Sequence, residues 1–155
     1  MVIYIAIFLL IIAFDQISKH LITSRFALGE GMTVIKGIFD FRYIENRGAA
    51  FGLLQGARVF FIVLTVVVFL AMIIYLVKAK PKSHLEKTAL CFIAGGAIGN
   101  FIDRVYLGYV RDFIETTFMD FPIFNVADCF VCIGAGLYIL YALLDAFKGK
   151  VKTDE

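Results

Sequence analysis

The chain has 155 residues, 61% of them hydrophobic, with a mean hydropathy of +0.90 and no tryptophan. Soluble domains sit nearer half apolar, so this composition excludes an ordinary soluble domain and points to a membrane protein. The net charge of +2 gives no reason to expect nucleic acid as a partner, because the basic residues flank apolar runs, where a membrane explains them.

Hydropathy predicts a mainly α membrane protein in a single domain, 1–155, with four transmembrane helices at about 3–22, 57–77, 88–104 and 124–147. The first run lacks a basic n-region, and Asp15-Gln16-Ile17-Ser18-Lys19-His20 is no small-residue cleavage site, so it reads as a retained span. The link 78–87 holds four lysines in ten residues, and the tail 148–155 adds Lys148, Lys150 and Lys152. Dense basic clusters of this kind place both on the cytoplasmic side, leaving 23–56 and 105–123 as extracytoplasmic segments.

In the first span, Asp15 and Lys19 stand at i and i+4 with the acid first, a spacing that pairs charges along one helix face. The segment after it contains Met32-Thr33-Val34-Ile35 and Ile38-Phe39-Asp40-Phe41-Arg42-Tyr43-Ile44, separated by the turn residues Lys36-Gly37. This predicts a small β-hairpin or sheet on the membrane surface between the first two helices. It runs into Glu45-Asn46-Arg47-Gly48-Ala49-Ala50-Phe51-Gly52, where small residues allow close backbone approach and Asn46 offers both a donor and an acceptor.

The second span is featureless and reads as scaffold. The third contains Gly95-Gly96-Ala97-Ile98-Gly99-Asn100-Phe101-Ile102-Asp103-Arg104. Gly95 and Gly99 form a small-xxx-small contact surface, and Gly96, Asn100 and Arg104 share a stripe. A structural reading of its polar end pairs Arg104 with Asp103 at the interface. Val110-Arg111-Asp112-Phe113-Ile114-Glu115 suits a segment lying in the interface. Asn125 and Asp128 then open the last span, one turn apart, on a face that continues through Cys132, Ala135 or Gly136, and Ala142. Of the three cysteines, Cys91, Cys129 and Cys132, the pair Cys129-x-x-Cys132 reads as small buried hydrophobic residues, and with His20 and His84 as the chain's two histidines no metal site is expected.

With a cytoplasmic amino terminus, Asp15, Lys19, Asn46, Asn100, Asp103, Arg104, Asp112, Asn125 and Asp128 all fall at the outward ends of the spans, and the opposite ends carry lysines and little else. A carboxylate in hydrocarbon must be paired, hydrated or functional. Two aspartates close together share a proton and can activate water for attack on a carbonyl. On residue types alone, an aspartyl hydrolase, a proton- or ion-conducting pathway and a partner-binding subunit all stay open. A conducting path would need polar residues reaching both faces.

The blocks Asp15-Gln16-Ile17-Ser18-Lys19, Asn46 to Gly52, Gly95 to Arg104, Val110-Arg111-Asp112-Phe113-Ile114 and Phe124-Asn125-Val126-Ala127-Asp128 resemble those of lipoprotein signal peptidase, or signal peptidase II, in the same order and over nearly the whole chain. The resemblance implies a bacterial inner-membrane aspartyl endopeptidase, without cofactor, that removes the signal peptide of prolipoproteins just before the diacylglyceryl-modified cysteine. It implies Asp112 and Asp128 as the catalytic dyad. Asn46, Gly48, Asn100, Arg104 and Asn125 would support the dyad or hold substrate, and Asp15, Lys19 and Asp103 would stabilise the site. It also implies prolipoproteins and membrane lipids as partners, and inhibition by globomycin. Arg111 stands where the family usually has valine, a departure that bears on substrate or lipid-headgroup contacts and leaves the aspartate in place.

Overall fold

The structure, a computed structural model, describes residues 2–49, 51 and 53–153, with side-chain surroundings as far as residue 148. Four helices, α1 (Val2–Arg25), α2 (Arg58–Ala79), α3 (His84–Tyr106) and α4 (Val126–Thr153), are each long and apolar enough to cross a membrane. At a rise of about 1.5 Å per residue, even the shortest exceeds the roughly 30 Å of a bilayer core. Three antiparallel strands, β1 (Gly31–Ile35), β2 (Phe39–Asn46) and β3 (Val110–Thr116), form one sheet in the order β1-β2-β3.

α3 is the axis of the bundle and packs on all three other helices. Its glycines explain the closeness. A Cβ on Gly95 would lie 2.8 Å from Ile11 of α1, and one on Gly96 would lie 2.3 Å from the Ala127 carbonyl oxygen of α4. α2 packs mainly on α3 and has no buried residue, so lipid must solvate most of it. That agrees with its scaffold reading.

The packing face of α4 differs from the expected one. Cys132 is exposed and a Cβ on Gly136 would meet nothing, whereas Ala127 is fully buried and Gly134 lies against Ile93 and the Ala89 carbonyl. The face in contact with α3 is therefore Ala127, Val131 and Gly134, rotated one residue back. The reason lies at the helix start, where Asp15 holds the Ala127 amide and turns that residue inward. Cys132 is accordingly not a buried residue, and Cys129 is only half-buried.

α3 also begins earlier than hydropathy suggests. Ser83 caps it, its hydroxyl accepting from the Glu86 amide at 3.4 Å, and Glu86 suits the positive end of the helix. Glu86 is 2% exposed and accepts a hydrogen bond from the Tyr75 hydroxyl. The lysine-rich end thus holds a buried carboxylate as well as lysines. The described helix α4 continues to Thr153 through most of the expected tail.

β1 and β2 make the expected hairpin, turning at Lys36-Gly37 with Gly37 at φ 78°. The third strand was not expected. β3 comes from the link between α3 and α4, and pairs with β2 so that Ile44 faces Asp112 and Asn46 faces Val110. Ile22, Tyr43 and Phe113 form a small core where the sheet meets α1. The Ile114 amide donates to the Phe124 carbonyl at 2.8 Å and Phe124 donates back at 3.1 Å. This bridge ties the start of α4 to β3, and so brings Asp128 towards Asp112.

Candidate active site

Asn125 and Asp128 form a reciprocal cap. The Asp128 amide donates to Asn125 Oδ1 at 3.1 Å, and the Asn125 amide donates to Asp128 Oδ2 at 3.1 Å. This is the capping-box arrangement, with an aspartate in place of the usual glutamate three residues on. Asp15 Oδ1 accepts from the Ala127 amide between them at 2.9 Å. The helix start therefore satisfies its own amides with the side chains that build the site.

Asp112 is 1% exposed and arrives from β3. Its Oδ2 accepts from Asn46 Nδ2 at 2.9 Å, and its Oδ1 from Asn125 Nδ2 at 2.6 Å. Asp128 Oδ1 accepts from Asn100 Nδ2 at 2.8 Å, and Asn125 Nδ2 also reaches Asn100 Oδ1 at 3.0 Å. Three asparagines from β2, α3 and the edge of α4 thus hold two carboxylates in one network. Burial, and after it the negative charge of Asp128, pushes the Asp112 carboxyl up to about 7, against the opposing pull of Asn46, Asn125 and Lys19.

Beneath the pair lies a buried charge cluster. Lys19 Nζ is 2.9 Å from Asp15 Oδ2, 3.4 Å from Asp103 Oδ2 and 2.8 Å from Asn100 Oδ1, and Lys19, Asp15 and Asp103 are fully buried side chains. Asp103 pairs with Arg111 at 2.7 Å and not with Arg104. Arg111 also donates to Gln16 Oε1 at 2.9 Å, and its backbone amide donates to Asp103 Oδ2 at 3.0 Å. It faces inward, although the resemblance suggested a substrate or headgroup contact there. Two carboxylates and two cations balance one another, as burial requires.

Gln16 is the member that sequence reasoning passed over. Its Nε2 donates to Asp15 at 3.0 Å, to the Gly99 carbonyl at 3.1 Å and to Asp103 at 3.2 Å. Its position beside Asp15 in the first quoted block was the available signal.

Arg104 is half-buried beside the two aspartates. It donates to the Gly48 carbonyl at 3.3 Å and stacks its guanidinium 4.6 Å from the Phe61 ring centre. The Gly48 amide donates to Asn46 Oδ1 at 2.9 Å, and a Cβ there would lie 2.4 Å from the Leu53 carbonyl oxygen, so the expected close approach is present at Gly48. Ala50 and Gly52, two of the other small residues expected to allow it, lie outside the described residues. Every expected site residue is thus at one end of the bundle. Among the described residues no three His, Cys, Asp or Glu side chains are placed to hold a metal ion.

Fold and site define a multi-pass membrane protein with two aspartates joined through asparagine side chains at one end of its bundle. The family model for signal peptidase (SPase) II matches residues 7–144. The chain is 44% identical to the lipoprotein signal peptidase of Enterococcus faecalis over 157 residues, covering 99% of this chain and 98% of that one. It is 46% identical to the lipoprotein signal peptidase of Caldanaerobacter subterraneus over 149 residues, 96% and 99% of the two chains. A bacterial membrane enzyme solved by the in meso method at 2.3 Å superposes with a TM-score of 0.90 at 35% identity, covering 94% of this chain and 90% of that one. The chain belongs to the signal peptidase II family, and is accordingly a peptidase.

Proposed function

We propose that the protein is an intramembrane aspartyl endopeptidase that removes the signal peptide from diacylglyceryl-modified prolipoproteins, cutting before the lipidated cysteine. The observation that carries this reading is the joint holding of Asp112 and Asp128 by Asn46, Asn100 and Asn125. A pair so held shares one proton and titrates as a unit. Its ionised member takes a proton from water as the water attacks the scissile carbonyl, and its protonated member donates to the carbonyl oxygen. Each carboxylate accepts from two neutral amide groups of its own, which steady it when it carries the charge.

In this reading the whole chain is one peptidase domain, seated in the bacterial inner membrane with the dyad near its outer face. The lysine-rich link and tail lie on the cytoplasmic side. Arg104 and Gly48 line the approach, and Asn46 holds the substrate backbone or the dyad. A substrate tethered by its signal helix and its lipid is delivered along the membrane, so acyl-chain burial helps to orient the scissile bond. Membrane lipids border the site, and globomycin-type compounds compete for it. The exposed apolar residues Met32, Val34 and Ile38 suit the hairpin as a clamp over substrate. Unchanged turnover and affinity after removal of Lys36-Gly37 would refute that clamp.

The deciding experiment is cleavage of a diacylglyceryl-modified prolipoprotein by the purified protein, beside Asp112→Asn and Asp128→Asn. Asparagine keeps the size and loses the proton chemistry. Both variants should stay folded, bind substrate and lose on the order of 10³-fold in rate. Near-normal cleavage by either variant would remove that residue from the dyad.

A further inference from the structure

At the end opposite the dyad, α1 and α2 diverge. They meet at Phe8 and Phe69, whose ring centres are 6.2 Å apart. From that contact to the lysine-rich end a groove of about 780 Å³ opens between them, floored by Leu90 and Ala94 of α3. Lys80 and Lys87 line it, and no carboxylate does. Neither lysine makes an ion pair among the described residues, and Lys87 lies 5.7 Å from the ring centre of Tyr4.

We infer that this groove holds one anionic phospholipid, with an acyl chain lying between α1 and α2 and the headgroup phosphate at Lys80 and Lys87. Charge complementarity carries the choice, since two unpaired cations at the mouth of an apolar groove need an anion joined to an apolar tail. Length agrees. Lys87 to Ala94 spans about 10 Å of helix, which fits within one leaflet's share, roughly 15 Å, of the hydrocarbon core. A signal helix is a poorer occupant. Its basic end would meet the lysines, and a helix about 10 Å wide cannot continue past the Phe8–Phe69 contact. The inference does not depend on the proposed function.

The absence of tryptophan makes the test direct. Phe69→Trp puts a lone fluorophore at the apex of the groove, Ile73→Trp a second on its wall, and Phe147→Trp a control on α4 outside it. Each variant is placed in phosphatidylcholine vesicles containing a minor fraction of phosphatidylglycerol with brominated acyl chains. At about fivefold local enrichment per lysine, quenching at Phe69→Trp and Ile73→Trp should exceed that at Phe147→Trp several-fold. Brominated phosphatidylcholine at the same fraction should give no such excess, and Lys80→Gln with Lys87→Gln should remove it. Equal quenching at all three positions overturns the inference, as does an excess that survives loss of both lysines. Relief of quenching by a synthetic signal peptide with a basic amino end would assign the groove to a peptide and overturn it too.

Discussion

Asn125 Nδ2 lies 2.6 Å from Asp112 Oδ1 while the same side chain caps the helix that carries Asp128. One residue thus sets the position of both carboxylates. Asn125→Ser retains an oxygen able to cap and loses the donor to Asp112. We expect it to change stability by no more than about 1 kcal/mol, within the range of cap substitutions, and to lower kcat on the order of 10²-fold, as loss of one oriented donor does. Asn125→Leu should lose both. Thermal unfolding in detergent beside kcat separates the two effects, and a kcat loss for Asn125→Ser that merely tracks unfolding would contradict the positioning role.

The Asp112 carboxyl, raised to about 7, gives a signed pH dependence. A raised carboxyl binds its proton more tightly folded than unfolded, so its contribution to stability is complete below the ordinary value of 3.8 and is lost as pH rises through about 7. Unfolding midpoints should therefore fall across that window, and Asp112→Asn should flatten the fall. In cleavage, kcat/KM should decline above about pH 7 as the pair loses its shared proton. Asn46→Ala removes a donor that favours the charged form, so it should move that decline to higher pH. A shift to lower pH would show that Asn46 does not stabilise the ionised carboxylate.

Lys19 touches Asp15, Asp103 and Asn100 with no exposure to solvent. Lys19→Met strands buried negative charge and should cost about 3–5 kcal/mol. Adding Asp15→Asn should restore part of that loss, because it removes one of the stranded charges. Denaturant midpoints for the two variants test this, and a double variant as unstable as the sum of the singles would show that the charges are not coupled.

Two glycines predict opposite results. Gly96→Ala would push a methyl against the Ala127 carbonyl oxygen, 2.3 Å away. It should cost about 1–3 kcal/mol and also slow cleavage, since it spreads α3 from α4 one turn from the Asn100–Asp128 contact. Gly136→Ala meets nothing within 4 Å and should be neutral, or stabilising by up to about 1 kcal/mol. Equal effects at the two positions would argue against the packing face described for α4.

Hydropathy made the four spans legible, and the Asp15–Lys19 spacing made their ion pair legible, because both signals are local. The gathering of polar residues at one end was legible once the spans were ordered. β3 was not, since Val110, Asp112 and Phe113 are all buried and the alternation that marks a half-exposed strand is lost. Its partner β2 is also more than sixty residues away in sequence. Two signals were present and unread. Ser83-His84-Leu85-Glu86 and Asn125-Val126-Ala127-Asp128 are helix starts of the capping type, and the first would have placed Glu86 within α3. Arg111 could not be placed from sequence because its partners, Asp103 and Gln16, depend on how β3 docks on the bundle.

The pairing of β2 with β3 has a consequence for the order of biogenesis. Asn46 emerges early in synthesis, Asp112 much later, and Asp128 only with the final helix. Asp112 and Asp128 come together once β3 has joined the hairpin and α4 has seated on α3, so under the proposed function a chain caught part-way through insertion would carry none of its hydrolytic chemistry. A nascent peptidase surrounded by other incompletely inserted proteins is thereby harmless until its own assembly is complete.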